Sequence, residues 1–160
     1  MGIFSGAASV ATDTGAQREE RPYLSDGQRV LEIERALLRK GTNENNSRTY
    51  KQWMLVVEFR VVETLSGESQ NTGKVIEVLQ RDIDGDLTKS GQYAMSRVKG
   101  LAAAALQVAP EEVDESHLEQ VFDPDSDGTA LSGVRVMATT NSFTTKAGGV
   151  FSPTTYTPVG

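Results

Sequence analysis

The sequence predicts a mainly β domain with one or two helices, built as an OB-like five-stranded barrel with a helix between strands 3 and 4. Three segments in which apolar and polar residues alternate come first, a segment with helical periodicity follows, and two further β segments complete the chain. This order of elements is typical of the OB fold. Closure into a barrel would also protect the edges of strands as apolar as these. A flat α+β sandwich is the alternative architecture.

The composition is that of one globular domain that lacks the residues of the common catalytic motifs. The chain has 160 residues, of which 38% are apolar and 24% are charged. It has no Cys and a single His, His117, which excludes thiolate metal sites, Cys nucleophiles and multi-His metal sites within one subunit. It contains no phosphate loop, nucleophile elbow or dinucleotide fingerprint. We therefore expect a protein that is not an enzyme. No membrane span is predicted either, because no apolar run is long enough.

The first 24 residues are predicted to be an arm that precedes the folded domain, which we place at residues 25–160. This segment is rich in Gly, Ala, Ser and Thr and shows no sustained apolar period. A segment of this composition cannot bury enough apolar surface to fold alone. Its apolar residues Ile3, Phe4 and Val10 are the expected contacts with a partner protein.

Three β-strands are predicted before the helix. Residues 28–39 place Leu31, Ile33 and Leu37 on one face, although their content of Leu, Glu and Arg is also compatible with a helix. Residues 50–62 form the clearest strand, with apolar side chains on both faces near its centre. The third strand covers 74–80. Polar loops separate the three segments.

Helical periodicity begins after the third strand. Residues 92–107 carry apolar side chains at helical spacing and small residues that allow close packing on a sheet. A second helix is predicted to begin at Pro110, with acidic residues in its first turn and His117 on its inner side. The fourth strand covers 133–140. The last β segment is a hairpin that pairs 142–145 with 150–156 across a Lys-Ala-Gly-Gly turn.

The charge of the chain is unevenly distributed. The net charge is −6, yet residues 111–132 hold eight acidic residues and no Lys or Arg, so the rest of the chain is slightly basic. Within that acidic segment, Asp123, Asp125 and Asp127 occupy the first ligand positions of a calcium loop. The twelfth position is Val134 instead of a bidentate Glu, so any calcium site here is predicted to be weak, and an acidic loop that ends a helix is the alternative.

A basic and aromatic cluster surrounds the first predicted loop. In OB domains the first and fourth loops border the strand face that binds single strands, where aromatic rings stack on bases and cations follow the phosphates. Because Trp53 also begins an apolar face, a place in the core is the alternative for its ring. The candidate nucleic-acid contacts are Arg39, Lys40, Arg48, Tyr50, Lys51 and Trp53.

Four pieces of the chain resemble small tailed-bacteriophage proteins of the OB-fold, single-stranded-DNA-binding-like kind. They are GQRVLEI at 27–33, VEFRVVE at 57–63, VKGLAAA at 98–104, and TKAGG at 145–149 with YTPV at 156–159. The resemblance covers roughly residues 22–159. It implies a phage origin, an OB core and, more weakly, DNA binding. Two departures are the long arm of small residues and the missing acidic tail, since no acidic residue follows Asp127.

Two functional hypotheses follow from the sequence. The first is a capsid decoration, or cement, protein of the virion, anchored by its arm to the major capsid protein and to copies of itself. The alternative is a single-stranded-DNA-binding protein of phage replication, which would act in the host cytoplasm. A head–tail or tail accessory protein is a weaker third hypothesis. No cofactor is expected apart from the weak calcium site.

Overall fold

The computed structural model describes residues 21–123 and 127–159. Three long strands come first, β1 (Gly27–Lys40), β2 (Trp53–Gly67) and β3 (Thr72–Leu79), followed by α1 (Lys89–Leu106), a 3₁₀ turn (Pro110–Glu112) and α2 (Glu115–Val121). The chain ends with β4 (Arg135–Thr140), β5 (Phe143–Thr144), β6 (Val150–Phe151) and β7 (Thr154–Pro158). The predicted mainly β class, with a helix after the third strand, is confirmed.

Five strands form one antiparallel sheet in the order β3-β2-β1-β4-β7, and β5 and β6 form a separate two-stranded hairpin. In the part of the chain that the structure describes, the edge strands β3 and β7 are not hydrogen-bonded to each other. The sheet is therefore not closed into a barrel, and a gap remains between its two edges.

The long strand β1 bends the sheet. Its pairing with β2 shifts register between Gln28 and Arg29, between Val30 and Leu31, and between Ile33 and Arg35. Such bulges increase the local twist and bend the strand that carries them. The N-terminal half of β1 also pairs with β4. Thus the strand prediction for 28–39 is confirmed over its helical alternative.

Helix α1 packs against both edge strands on the inner face of the bent sheet. It contacts β7 and β3 more extensively than the other strands. Val98 and Leu101 are buried against the sheet, and the small residues 102–104 let the helix approach closely. The helix begins at Thr88, whose side chain accepts a hydrogen bond from the backbone N–H of Gly91 (3.1 Å). By joining the two edges, α1 fixes the width of the gap between them.

The second predicted helix is interrupted. Val113 and Asp114 have extended backbones, so the chain forms a 3₁₀ turn first and begins α2 afterwards. Asp114 caps α2 by accepting from the backbone N–H of His117 (3.0 Å), and Nδ1 of His117 accepts from the backbone N–H of Asp114 (3.2 Å). This reciprocal capping box gives the single histidine a structural role. None of the described helices is long and apolar enough to cross a membrane.

Candidate functional site

A groove of about 610 Å³ lies at the gap between the edge strands. One wall is the loop that joins β1 to β2, and the other is the β5–β6 hairpin with the start of β7. The floor is the edge of β3, and the chain that precedes β1 borders it on a third side. The lining residues are Tyr23, Leu24, Asn46, Arg48, Thr49, Met54, Lys74, Val75, Ile76, Glu77, Val78, Val150, Phe151, Ser152, Pro153 and Thr154.

Local backbone bonds fold the β1–β2 loop back tightly on itself. The N–H of Gly41 donates to the carbonyl of Gln52, and the N–H of Lys51 donates to the carbonyl of Gly41 (both 2.9 Å). Gly41 is required here, because a Cβ at this position would lie 1.8 Å from the carbonyl oxygen of Thr49. The loop presents the exposed Arg48 at the groove.

The β5–β6 hairpin carries aromatic rings at the second wall. Phe143 and Phe151 are directly opposite each other, with their ring centroids 5.6 Å apart in an edge-to-face arrangement. The turn is closed by the N–H of Thr145, which donates to the carbonyl of Gly149 (2.7 Å). At the base of the hairpin, the Ser142 hydroxyl bonds to the Asp26 carboxylate and to the Ser152 hydroxyl. The hairpin is thus fastened to the sheet at its base.

The chain before β1 adds a third border to the groove. The N–H of Leu24 donates to the carbonyl of Lys74 (3.2 Å), and the N–H of Lys74 donates to the carbonyl of Pro22 (2.9 Å), so this segment runs parallel to the edge of β3. Leu24 is buried in the core, while Tyr23 is 61% exposed. The Lys74 ammonium lies 4.7 Å from the centroid of the Tyr23 ring. An aromatic face and a cation therefore stand together at this border.

The edge of β3 offers backbone hydrogen-bonding groups to the groove. Peptide groups alternate in direction along a strand, so Ile76 and Val78 direct their N–H and C=O groups to the same side as Lys74. That side lies away from β2. These groups belong to the floor of the groove.

Glu77 is the one carboxylate among the described residues that line the groove, and an arginine of α1 pairs with it. Arg97 donates from Nε and Nη2 to the two carboxylate oxygens of Glu77 (2.8 and 2.9 Å). The two side chains are only 13% and 7% exposed. Burial raises the pKa of Glu77 above its usual value of 4.5, and the charges of Arg97 and, to a smaller extent, Arg48 oppose that rise. The guanidinium of Arg97 also lies 5.2 Å from the ring centroid of Phe151.

Tyr156 of β7 lies close to this ion pair. Its ring packs on Phe59, with centroids 6.1 Å apart, and its hydroxyl is buried without a hydrogen-bond partner. Burial raises its pKa above the ordinary value of 10.0, and the nearby charge of Glu77 adds to the rise. Its burial therefore favours the neutral form of the hydroxyl.

The structure separates the six residues of the predicted nucleic-acid cluster. Arg48 lines the groove. Arg39 is the register partner of Met54, which also lines the groove, and both lie on the outer face of the sheet. The other strand residues point the opposite way, because neighbouring positions alternate between faces. Lys40 is directly opposite Trp53, with its ammonium 5.7 Å from the ring, and both share a face with buried Leu55. In the loop, the Lys51 ammonium lies 5.3 Å from the ring of Tyr50.

Beside Arg48, the aromatic and cationic side chains that line the groove were not predicted from the sequence; they are Tyr23, Lys74 and Phe151. Tyr23 falls in the segment that was predicted to be the arm. Phe151 follows the Gly-Gly turn of the predicted hairpin, and this position was the signal that could have selected it. Lys74 carried no signal of its own, since its position depends on how the chain before β1 pairs with β3.

The remaining predicted site residues fall partly outside the described part of the chain. Ile3, Phe4 and Val10 of the arm, and Asp125 of the acidic loop, lie outside it. Asp127 accepts hydrogen bonds from the backbone N–H and the hydroxyl of Thr129, which lower its pKa. The described residues contain no group of three or more potential metal ligands. The calcium site stays a prediction.

Two comparisons with known proteins find no relative of this chain. No protein-family model matches it, and a search of curated proteins finds no similar sequence. The function is therefore inferred from the groove itself.

Proposed function

We propose that this chain binds single-stranded DNA in the groove at the open edge of its sheet. We also propose that its fold is an OB-like, partly open five-stranded barrel. The strand order and the helix between β3 and β4 support the OB-like assignment. OB domains bind oligonucleotides on the face of strands 2 and 3, between the first and the fourth loops. In this proposal the β1–β2 loop corresponds to the first loop, and the β4–β7 connection corresponds to the fourth.

The observation that carries the proposal is the chemistry gathered along the groove. Two aromatic side chains, Tyr23 and Phe151, and two cations, Arg48 and Lys74, line it. Stacking rings beside cations are the usual means of holding single strands without strong sequence preference. The only carboxylate among the described lining residues, Glu77, has its charge compensated by Arg97.

The eight acidic residues of the 111–132 segment do not oppose this function, because none of those described lines the groove. Affinity for a single strand depends on the local potential along its path, not on the net charge of the protein. An acidic chain can therefore bind DNA through a basic groove.

Titration of a labelled oligothymidylate of about 12 nucleotides, within the usual site size of OB folds, tests the proposal. We expect binding at micromolar protein in low salt, and an affinity that falls as salt is raised. The double variant Arg48→Ala/Lys74→Ala should weaken binding and reduce the salt slope by about 1.4, since each single-strand phosphate contact contributes about 0.7.

A matched control is the double variant Arg60→Ala/Arg135→Ala, which removes the same charge from residues that pair with Glu32 outside the groove. It should bind like the wild type. Absence of binding in low salt, or an equal loss in both double variants, would contradict a groove-specific site. The same titration is repeated with oligouridylate and with duplex DNA. Tighter binding of either than of oligothymidylate would assign the groove to another nucleic acid.

The decoration-protein hypothesis stays a prediction from the sequence. It depends on the arm, and the residues chosen as its anchor lie outside the described part of the chain. Retention on purified phage heads after deletion of residues 2–20 would test it, with full retention contradicting an anchor in that segment.

A further inference from the structure

Arg97 lies behind the aromatic wall of the groove. It projects from α1, pairs with both carboxylate oxygens of Glu77 and stands 5.2 Å from the ring centroid of Phe151. Glu77 and Phe151 line the groove, but Arg97 does not. The guanidinium is thus placed between the sheet edge and the hairpin, where it contacts both.

The β5–β6 hairpin makes few contacts with the other described elements beyond its base. Among the described elements, β5 and β6 pack mainly against each other. The polar bonds that fasten the hairpin are at its base, between Ser142, Asp26 and Ser152. A two-stranded hairpin is only marginally stable alone in water. The contact with Arg97 supports the Phe151 ring from the side of the helix.

We propose that Arg97 is a positioning residue that holds Phe151 as a stacking surface for a base, with Glu77 fixing the orientation of the guanidinium. This inference rests on the proposed function, because it assigns a role within the same groove. It adds a residue that contributes to binding without contacting the nucleic acid.

The pair suits this role because an arginine fork is planar and rigid. Two parallel N–H bonds to one carboxylate fix both the position and the tilt of the guanidinium. Its flat face then remains for the aromatic ring. A lysine would keep the charge but could neither bridge both carboxylate oxygens in this way nor present a planar face.

The test compares affinities for labelled oligothymidylate among variants that remain folded. Glu77→Leu/Arg97→Met removes both charges, so no buried charge is left unpaired. We expect this variant to bind about tenfold more weakly, as Phe151→Ala should, because stacking of the base is lost. The salt slope should stay at its wild-type value, since Arg97 makes no phosphate contact. Adding Phe151→Ala to the pair should cause no further loss.

Arg97→Lys provides a second variant in case the double replacement does not fold. It should show an intermediate loss at an unchanged salt slope. In either variant, ¹⁹F spectra of fluorophenylalanine-labelled protein without DNA should show a changed Phe151 signal, assigned by comparison with Phe151→Leu.

The outcomes separate the two proposals. Wild-type affinity in both Arg97 variants, together with weaker binding in Phe151→Ala, would overturn the positioning role and leave the groove as the binding site. A reduced salt slope in the Arg97 variants would also overturn it, because the guanidinium would then be contacting phosphate. If the wild-type protein does not bind, the proposed function fails and the positioning role fails with it.

Discussion

Two glutamates of the same sheet pair with arginine in opposite environments. Glu32 on β1 lies 3.3 Å from Arg60 Nη2 and 3.4 Å from Arg135 Nε, with side-chain exposures of 24%, 47% and 52%. Its hydrogen bond from Arg60 lowers its pKa. Glu77 on β3 makes a shorter, two-point pair with one buried arginine, yet burial raises its pKa.

Desolvation, and not the presence of a partner, therefore decides whether the pKa of each glutamate is raised or lowered. Around Glu32, water still solvates the ions, so the arginines only add to the stability of the carboxylate. Around Glu77, burial removes most of the water. The guanidinium of Arg97 only partly compensates for this loss of solvation. The exposed network is a surface feature, whereas the buried pair joins helix, sheet edge and groove wall.

The largest expected effect comes from breaking the buried pair on one side only. Arg97→Ala leaves Glu77 buried without a counter-charge and should lower the free energy of unfolding by about 3–5 kcal/mol. Urea denaturation measures this. Arg60→Ala removes one of the two arginines that pair with the exposed Glu32 and should leave the midpoint close to that of the wild type. Equal losses in the two variants would contradict the contrast between the sites.

A smaller effect is expected next to the buried pair. Tyr156→Phe removes a buried hydroxyl that has no hydrogen-bond partner. Since an unsatisfied buried polar group is unfavourable, the variant should be more stable by about 1 kcal/mol. Thermal denaturation at neutral pH checks the direction. Destabilisation would mean that the hydroxyl is hydrogen-bonded in solution.

The pH dependence of stability should run in opposite directions at the two glutamates. Glu77 holds its proton in the folded state above its ordinary pKa of 4.5, so its contribution to stability is lost as the pH rises above that value. Glu32 has a folded-state pKa below 4.5, so its contribution is lost as the pH falls.

Urea denaturation across this pH range separates the two contributions. Glu77→Gln should remove part of the decline in the free energy of unfolding above pH 4.5. Glu32→Gln should remove part of the decline in the same quantity below pH 4.5. If Glu77→Gln instead removes a decline on the acid side, the pKa of Glu77 is lowered and the account of its burial is wrong.

The smallest effect is expected for Glu32→Gln at neutral pH. Exposed ion pairs are screened by solvent and salt. The melting temperature should therefore fall only slightly below that of the wild type, in both low and high salt. A clear, salt-sensitive drop would show that the Glu32 network stabilises the sheet more than its exposure indicates.

The order of the elements could be predicted because it depends on local patterns. Alternation and helical spacing in the sequence predict β1, β2, β3, α1 and β4, and the turn residues at 146–149 predict the hairpin. The break at Val113 and Asp114 was missed because the capping of α2 depends on one side chain. Pro153 likewise separates β6 from β7, which the pattern joined into one strand.

The groove was harder to predict, because its residues are distant along the chain. Tyr23, Lys74 and Phe151 meet only after the chain before β1 pairs with β3 and the hairpin folds over the gap. Proximity in sequence also grouped residues that the sheet separates. Arg39 and Lys40 are neighbours, but alternation along β1 places them on opposite faces.

Amide chemical shifts would show whether single-stranded DNA binds in the groove at the open edge of the sheet. The ¹H–¹⁵N spectrum of the whole chain would be followed during titration with oligothymidylate. We expect shifts that saturate together at Arg48, along β3 from Lys74 to Val78, and at Phe151, with little change at 111–121. Shifts concentrated elsewhere, or no shifts at all, would contradict it.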